Sequence, residues 1–260
     1  MKQFFRPGAL DNLECMTLEG KATPFPEHFH ETFCISLIRR GVECIRVGDQ
    51  IIYSEPGAIT INHPFEVHAN PIADAAIVQA FDTIYLSPDL VKKYTGGREL
   101  YVKNFHIRQG ELNRSFLHLK EKMMNNDVKG VETALATFVH RLTHYSLSER
   151  QKPSVLPRNW ADLLHFIGEN LTEKLDLTTL SRIVGMNKFD FAKQFKSHTG
   201  MSPKQYFLMK KVFAAKKEVH ATTSLTELAY RYDFADMAHF SRTFKRFIGM
   251  SPSLYRSGIS

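Results

Sequence analysis

The segment Phe195–Tyr206 (PheLysSerHisThrGlyMetSerProLysGlnTyr) returns forty-nine residues later as Phe244–Tyr255 (PheLysArgPheIleGlyMetSerProSerLeuTyr). Phe, Lys, Gly, Met, Ser, Pro and Tyr hold the same places in both, and upstream Leu177 and Leu180 match Leu225 and Leu228 at an offset of forty-eight. The second copy therefore carries one extra residue. Two units of this size are each too small to bury a core, so they are expected to pack around a shared element.

Each copy has the parts of a helix-turn-helix. In the first, LeuThrThrLeuSerArgIleVal (177–184) is amphipathic, with Leu180 and Val184 inward. Gly185 then supplies the positive φ that ends a helix cheaply. Asn187 can cap the next helix, and Asp190 favours its positive end. That second helix turns Phe191 and Phe195 to the core and leaves Lys188, Phe189, Lys193 and Lys196 outward or on the flanks. In the second copy Leu228, Phe240 and Phe244 take the core positions. His239, Arg242, Lys245 and Arg246 remain at or near the surface. Gly200 and Gly249 can each stop a second helix, and Ser-Pro at 202–203 and 251–252 can start another. The segment from Pro203 to about Val219 then reads as one connecting helix, roughly 25 Å long at ~1.5 Å per residue. A spacer of that length could set two reading helices about one turn of DNA apart, ~34 Å. Ahead of the first copy, Trp160, Leu163, Leu164, Ile167 and Leu171 share a helical face.

Charge divides the chain in the same place. Of its 260 residues and net charge of +7, residues 158–260 hold sixteen Lys and Arg against nine Asp and Glu, and residues 1–157 are balanced at eighteen each. A basic module joined to a neutral one is the footprint of a polyanion binder.

At these residues the chain resembles the AraC/XylS family of bacterial transcription regulators. The resemblance covers roughly Trp160–Arg256 and rests on GlyMetSerPro-x-x-Tyr occurring twice and on LeuThrGluLeuAlaTyrArg…Phe…AspMetAlaHisPheSerArgThrPheLysArg (225–246). It implies two reading helices in successive major grooves of an operator. The base-facing candidates it gives are Phe189, Ala192 and Lys193 in the first and Ala238, His239 and Arg242 in the second. Lys188, Lys196, Lys245 and Arg246 would contact phosphate, which positions without specifying. Two departures stand out. Asp233 replaces the family's turn glycine, which implies some strain, and ValHis at 219–220 replaces two leucines, which would loosen contact between the copies.

The first half reads as antiparallel β. Strands are expected at 32–38, 43–47, 51–53, 58–61 and 76–81, with turns at Gly41, 48–50 and 56–57. Two helices follow, on Leu112, Phe116, Leu119 and Met123 and on Val131, Leu135, Phe138, Leu142 and Tyr145. The expected architecture is thus multidomain α+β. A cupin-like antiparallel β-barrel (1–106) is followed by two helices forming a dimerisation segment (107–147), a linker (148–157) and an all-α double helix-turn-helix domain (158–258).

The barrel resembles the sensor domain that precedes such DNA-binding units. His28, His30, Phe33, Arg46 and His68 are candidates to line a small-molecule effector pocket, with Phe81 a weaker one. His28, His30 and His68 could also hold a metal, since His-x-His on a strand points two imidazoles the same way. Cys34 and Ile35, however, stand where cupin metalloenzymes place a carboxylate. The reading is therefore an organic effector ahead of a purely structural barrel, with a metal site last, and with no cofactor and no catalytic residue. Cys15, Cys34 and Cys44 form no CxxC pair and are expected as buried small hydrophobes rather than a disulfide framework or thiolate zinc site. MetLysGlnPhePheArgProGlyAlaLeu at the start lacks the apolar core of a signal peptide, and no run approaches ~18 apolar residues. The expectation is a cytoplasmic chain that leaves membranes alone.

Taken together, these features predict a sequence-specific transcription regulator that binds double-stranded DNA, responds to a small molecule, and forms a homodimer. RNA polymerase would be a partner if it activates. The alternatives are a cupin-type metalloenzyme with a nucleic-acid tether and an architectural DNA-binding protein without effector.

Overall fold

The computed structural model describes residues 2–5, 13–21, 24–72, 78–102, 106–108, 110–146 and 158–258. The expected linker at 148–157 lies outside them. The chain forms two compact units that part between Lys152 and Pro153, and the short strand Phe25–His28 belongs by its hydrogen bonds to the first unit's sheet.

In chain order the first unit contains β1 (Lys2–Phe5), β2 (Leu13–Lys21), β3 (Phe25–His28), β4 (Phe33–Arg40), β5 (Glu43–Val47), β6 (Gln50–Ser54), β7 (Ile59–Asn62), β8 (His68–Asn70) and β9 (Gln79–Leu86). Helix α1 (Pro88–Thr95), β10 (His106–Ile107), α2 (Gly110–Met124) and α3 (Val128–Thr143) complete it. The strands form a six-stranded sheet ordered β1-β2-β9-β4-β7-β10 and a four-stranded one ordered β3-β8-β5-β6. The expected strand over 76–81 is displaced, because β9 starts at Gln79 and runs on to Leu86. Asp82, which reads as a strand breaker, is neutralised there by Lys120 of α2 at 2.8 Å and Arg39 of β4 at 3.1 Å.

Strand alternation gives the large sheet two unlike faces. Leu13, Cys15, Phe33, Ile35, Leu37, Ile59, Ile61, Ile84 and Leu86 point one way and form one apolar core with Leu112, Phe116, Leu119 and Met123 of α2 and Val131, Leu135, Phe138 and Leu142 of α3. The apolar stripes that suggested a dimerisation segment are thus spent on the chain's own sheet, with Tyr145 packed at the edge. Burial pushes the Cys15 thiol up to about 12, so it behaves as a hydrophobe, and all three cysteines are buried and unpaired with one another.

The second unit contains α4 (Arg158–Glu169), α5 (Leu177–Ile183), α6 (Lys188–Thr199), α7 (Pro203–Lys217), α8 (Leu225–Arg231), α9 (Met237–Ile248) and α10 (Pro252–Gly258). Trp160 of α4 stacks on Phe191 of α6 at 6.0 Å and 4°, and Phe195 sets its ring edge to Tyr206 of α7. The second copy repeats the scheme, with Phe240 against Phe244 and Phe244 against Tyr255. Helix α7, buried along Tyr206, Met209, Val212 and Ala215, is the shared element. It stops two residues short of expectation, which makes it about 22 Å long at ~1.5 Å per residue. Val219 is buried although the family would have leucine there.

Candidate nucleic-acid interface and effector site

The two turns have one geometry. Gly185 (φ 70) and Asp233 (φ 57) both stand in the left-handed region, and their N–H groups donate to Arg182 and Tyr230, which are equivalent positions. One residue on, Met186 N–H donates to the Ser181 carbonyl and Phe234 N–H to the Ala229 carbonyl. The extra residue of the second copy therefore lies after Phe234 and before the cap of α9. Asn187 caps α6 by accepting from Phe189 and Asp190 N–H, and its amide donates to the Asp190 carboxylate. Asp236 caps α9 by accepting from His239 N–H. Gly200 (φ 72) and Gly249 (φ 83) end the two helices alike.

Caps and core fix which face of α6 and α9 looks outward. Phe191 and Phe195, and Phe240 and Phe244, are fully buried. Lys188, Phe189, Lys193 and Lys196 are then exposed on α6, as are Ala238, Arg242, Lys245 and Arg246 on α9, with Ala192 and His239 half-buried. Phe189 exposes 89% of its surface. His239 sets its ring against Phe234 at 5.4 Å. Among the described residues, none of the six exposed cations on these helices is held in an ion pair. Elsewhere in the unit Lys211 is paired with Asp233 and Arg231 with Glu218. The two outward faces thus present six cations with no ion-pair partner among the described residues.

Lys211 is a residue that the sequence reading passed over. It lies on α7 with only 8% of its side chain exposed, and its Nζ donates to Asp233 at 3.0 Å and to the Glu173 carbonyl at 3.3 Å. Its cation ties the turn of the second copy to the loop before the first. A lysine amid the buried apolar positions of a connecting helix was the available signal.

In the first unit, the other face of the large sheet is polar for a protein interior. Glu14 on β2, Cys34 and Ser36 on β4, Thr60 and Asn62 on β7, and Thr83 and Tyr85 on β9 alternate with the apolar core positions and are buried, Tyr85 least so. Glu43 of the small sheet accepts from Thr60 across the gap at 3.2 Å and from Asn70 at 3.1 Å, and Ser36 and Thr83 share a hydrogen bond of 2.8 Å. Asn62 Oδ1 is buried with no hydrogen-bond partner among the described residues. Burying so many polar groups costs free energy that a purely structural core avoids.

Of the expected effector residues, the structure brings His28, His30 and His68 together in this interior, all buried, with His30 edge-on to Tyr85 at 5.2 Å. Burial holds the His68 imidazole below its usual range, opposed by its hydrogen bond to the Glu66 carbonyl and by the Glu66 charge. Burial pushes the Tyr85 hydroxyl well above the usual phenol range, with Cys34, Glu14, Cys15 and Glu43 adding to it. Two candidates do not belong. Phe33 faces the helices within the apolar core, and its ring meets His63. Arg46 is one residue out of phase with the inward Glu43, so strand alternation turns it to the opposite face. Phe81 is in phase with Thr83 and Tyr85. Glu14, Glu43, Thr60, Asn70 and Tyr85 were missed. Polar residues at every second place of otherwise apolar strands would have marked most of them.

Comparison with known proteins agrees with both halves. The AraC-like ligand binding domain matches residues 13–142, and a helix-turn-helix domain matches residues 180–258. The chain is 26% identical over 239 residues to the uncharacterized HTH-type transcriptional regulator YbfI of Bacillus subtilis, covering 88% of this chain and 86% of that one. It is 22% identical over 249 residues to the HTH-type transcriptional activator RhaS of Enterobacter, covering 90% and 88%. Among solved structures, ToxT of Vibrio cholerae has a TM-score of 0.58 at 13% identity, covering 96% of this chain and 100% of that one. ToxT with bound unsaturated fatty acid has a TM-score of 0.57 at 10% identity, covering 98% of each. These structural likenesses concern the fold.

Proposed function

The chain belongs to the AraC-like family of transcription regulators, and from that premise we propose that α6 and α9 read an operator in double-stranded DNA while a small polar molecule enters the space between the two sheets. The observation that carries the first half is the pair of outward faces whose cations have no protein counter-charge among the described residues. Arg242 and Lys193 are the side chains suited to guanine, Phe189 can meet only a thymine methyl or sugar, and Lys188, Lys196, Lys245 and Arg246 serve phosphates. The second half rests on the polar interior around Glu43, Asn62 and Tyr85. An effector rich in hydroxyl or amino groups suits it better than the fatty acid of the ToxT structure. The protein works as a regulator rather than a catalyst, in the cytoplasm where its DNA is.

Homodimerisation then uses the solvent side of α2 and the start of α3, where Leu117, Met124 and Val128 are exposed. RNA polymerase is a partner if the protein activates. Sedimentation showing a monomer at micromolar concentration, with and without effector, overturns the dimer. The operator reading is tested by a DNase footprint on DNA flanking the protein's own gene at two salt concentrations. Protection over about two adjacent helical turns per protomer, weakening steeply with salt, is expected. Diffuse binding with equal affinity for all duplexes overturns sequence-specific reading.

A further inference from the structure

His28 ends β3, His30 follows two residues later, and His68 opens β8. One ring nitrogen from each lies within 4.8 Å of the others, and the His30 and His68 rings are 5.4 Å apart. Nδ1 of His28 is 2.7 Å from the Pro26 carbonyl oxygen, and Nδ1 of His68 is 2.9 Å from the Glu66 carbonyl oxygen. A carbonyl only accepts, so each Nδ1 carries the proton and the ring's lone pair stands on Nε2. A backbone carbonyl on the far nitrogen fixes tautomer and ring orientation, which is how proteins ready an imidazole for a metal. The surroundings supply charge as well. Glu14 and Glu43 are buried, and both act electrostatically on Tyr85, whose ring meets His30. Buried carboxylates in the same interior suit a dication and repel an anion.

We propose that His28, His30 and His68 bind one divalent first-row transition-metal ion, leaving a further coordination position for water. The inference rests on the reading of this interior as the effector site and adds an ion beside which the polar effector is held. Three imidazoles are the donor set of zinc and its neighbours, and bonds of ~2.0–2.1 Å would draw the rings together by side-chain rotation.

The full-length protein, stripped with chelator, is titrated with Co2+ and followed by its visible absorption, with Zn2+ as competitor. One equivalent per chain, displaced by Zn2+, is expected. His30→Gln and His68→Gln should each weaken binding at least tenfold. His140→Ala/His144→Ala, which removes the exposed i,i+4 histidine pair at the C-terminal end of α3, should leave it unchanged. Absence of a one-equivalent site, binding that survives both glutamine variants, or binding lost with the α3 pair overturns the proposal. Should the buried variants fail to fold, X-ray absorption on the unaltered Zn2+-loaded protein decides, and fewer than three imidazole ligands overturns it. Metal uptake is read without DNA, so its failure leaves the operator reading standing, and a failed footprint leaves the metal count standing.

Discussion

The two helix-turn-helix copies reach one backbone geometry by different means. In the first, the left-handed turn residue is Gly185, with open space around the position a Cβ would take. That turn is made by the residue itself. In the second, the same turn is made by Asp233, a residue that pays for positive φ, and its carboxylate is gripped by Lys211 from the connecting helix. One copy folds its corner locally, and the other borrows a contact from the element both share. The copies are therefore similar in shape but unequal in how far each depends on the rest of the unit.

The largest effect bears on what the copies share, and it is in the core. Phe195→Ala and Phe244→Ala remove equivalent, fully buried rings, and each should cost ~3–5 kcal/mol. Trp160, the single tryptophan, stacks on the first copy, so its fluorescence in a urea titration reports that copy. Because α7 serves both copies, Phe244→Ala is expected to shift the Trp160 midpoint as far as Phe195→Ala does. A midpoint unmoved by Phe244→Ala would show two independently folding copies.

The copies should also differ as readers. Arg242→Ala should cost ~1–3 kcal/mol and relax preference at one base pair. Lys196→Ala should weaken binding to every duplex alike and lower the salt slope by about one. Binding isotherms on a set of single-substituted operators, at several salt concentrations, separate the two effects. Identical behaviour of both variants would end the division between base and phosphate contacts.

A smaller effect comes from exchanging the turn residues. Asp233→Gly installs the residue that suits positive φ, yet it strips a buried ammonium of its carboxylate. A net loss of about 1 kcal/mol is expected, toward the low end because Asp233 is half-exposed and solvent screens the pair. Lys211→Met in that background should restore stability, since an apolar side chain replaces the stranded charge. Gly185→Asp should cost ~1–2 kcal/mol from backbone strain alone. Chemical denaturation of the four proteins suffices, and a stabilising Asp233→Gly would show that the carboxylate is not what holds Lys211.

Much of this domain was legible because its signals are local. Caps, glycine stops and a repeat of Phe, Gly and Ser-Pro fix helices within a few residues of where they are read, and they fix the outward positions with them. Asp233 was legible as strained. Its compensation by Lys211 was not, because that contact joins residues twenty-two apart through tertiary packing. The sheet domain was legible only in class. Strands β4, β7 and β9 are buried on both faces over most of their length, so the eye takes Phe33 and the Leu112 stripe for binding surfaces when they are core. The polar interior hides in alternate places such as Ser36, Thr60 and Thr83. Which face those occupy depends on strand phase, and a list of pocket candidates that includes Arg46 carries no phase.

The smallest predicted difference concerns the first helix of each copy. Helix α5 is capped by Asp176, whose carboxylate accepts from Thr178 and Thr179 N–H, whereas α8 is capped by Ser224, which does not titrate. The Thr179 N–H holds the Asp176 carboxyl below its usual range, followed by the Thr179 hydroxyl and the contacts to Thr178. A folded-state pKa lying below the unfolded one adds stability that is present above the unfolded value and is lost as pH falls through the folded value. Acidification below the usual carboxylate range should therefore loosen α5 before α8. Hydrogen exchange at a series of acidic pH values should show protection falling in α5 and holding in α8, and Asp176→Asn should remove most of the pH dependence while keeping a cap. Equal loosening of α5 and α8 would place the acid sensitivity elsewhere and leave the copies alike at their first helices.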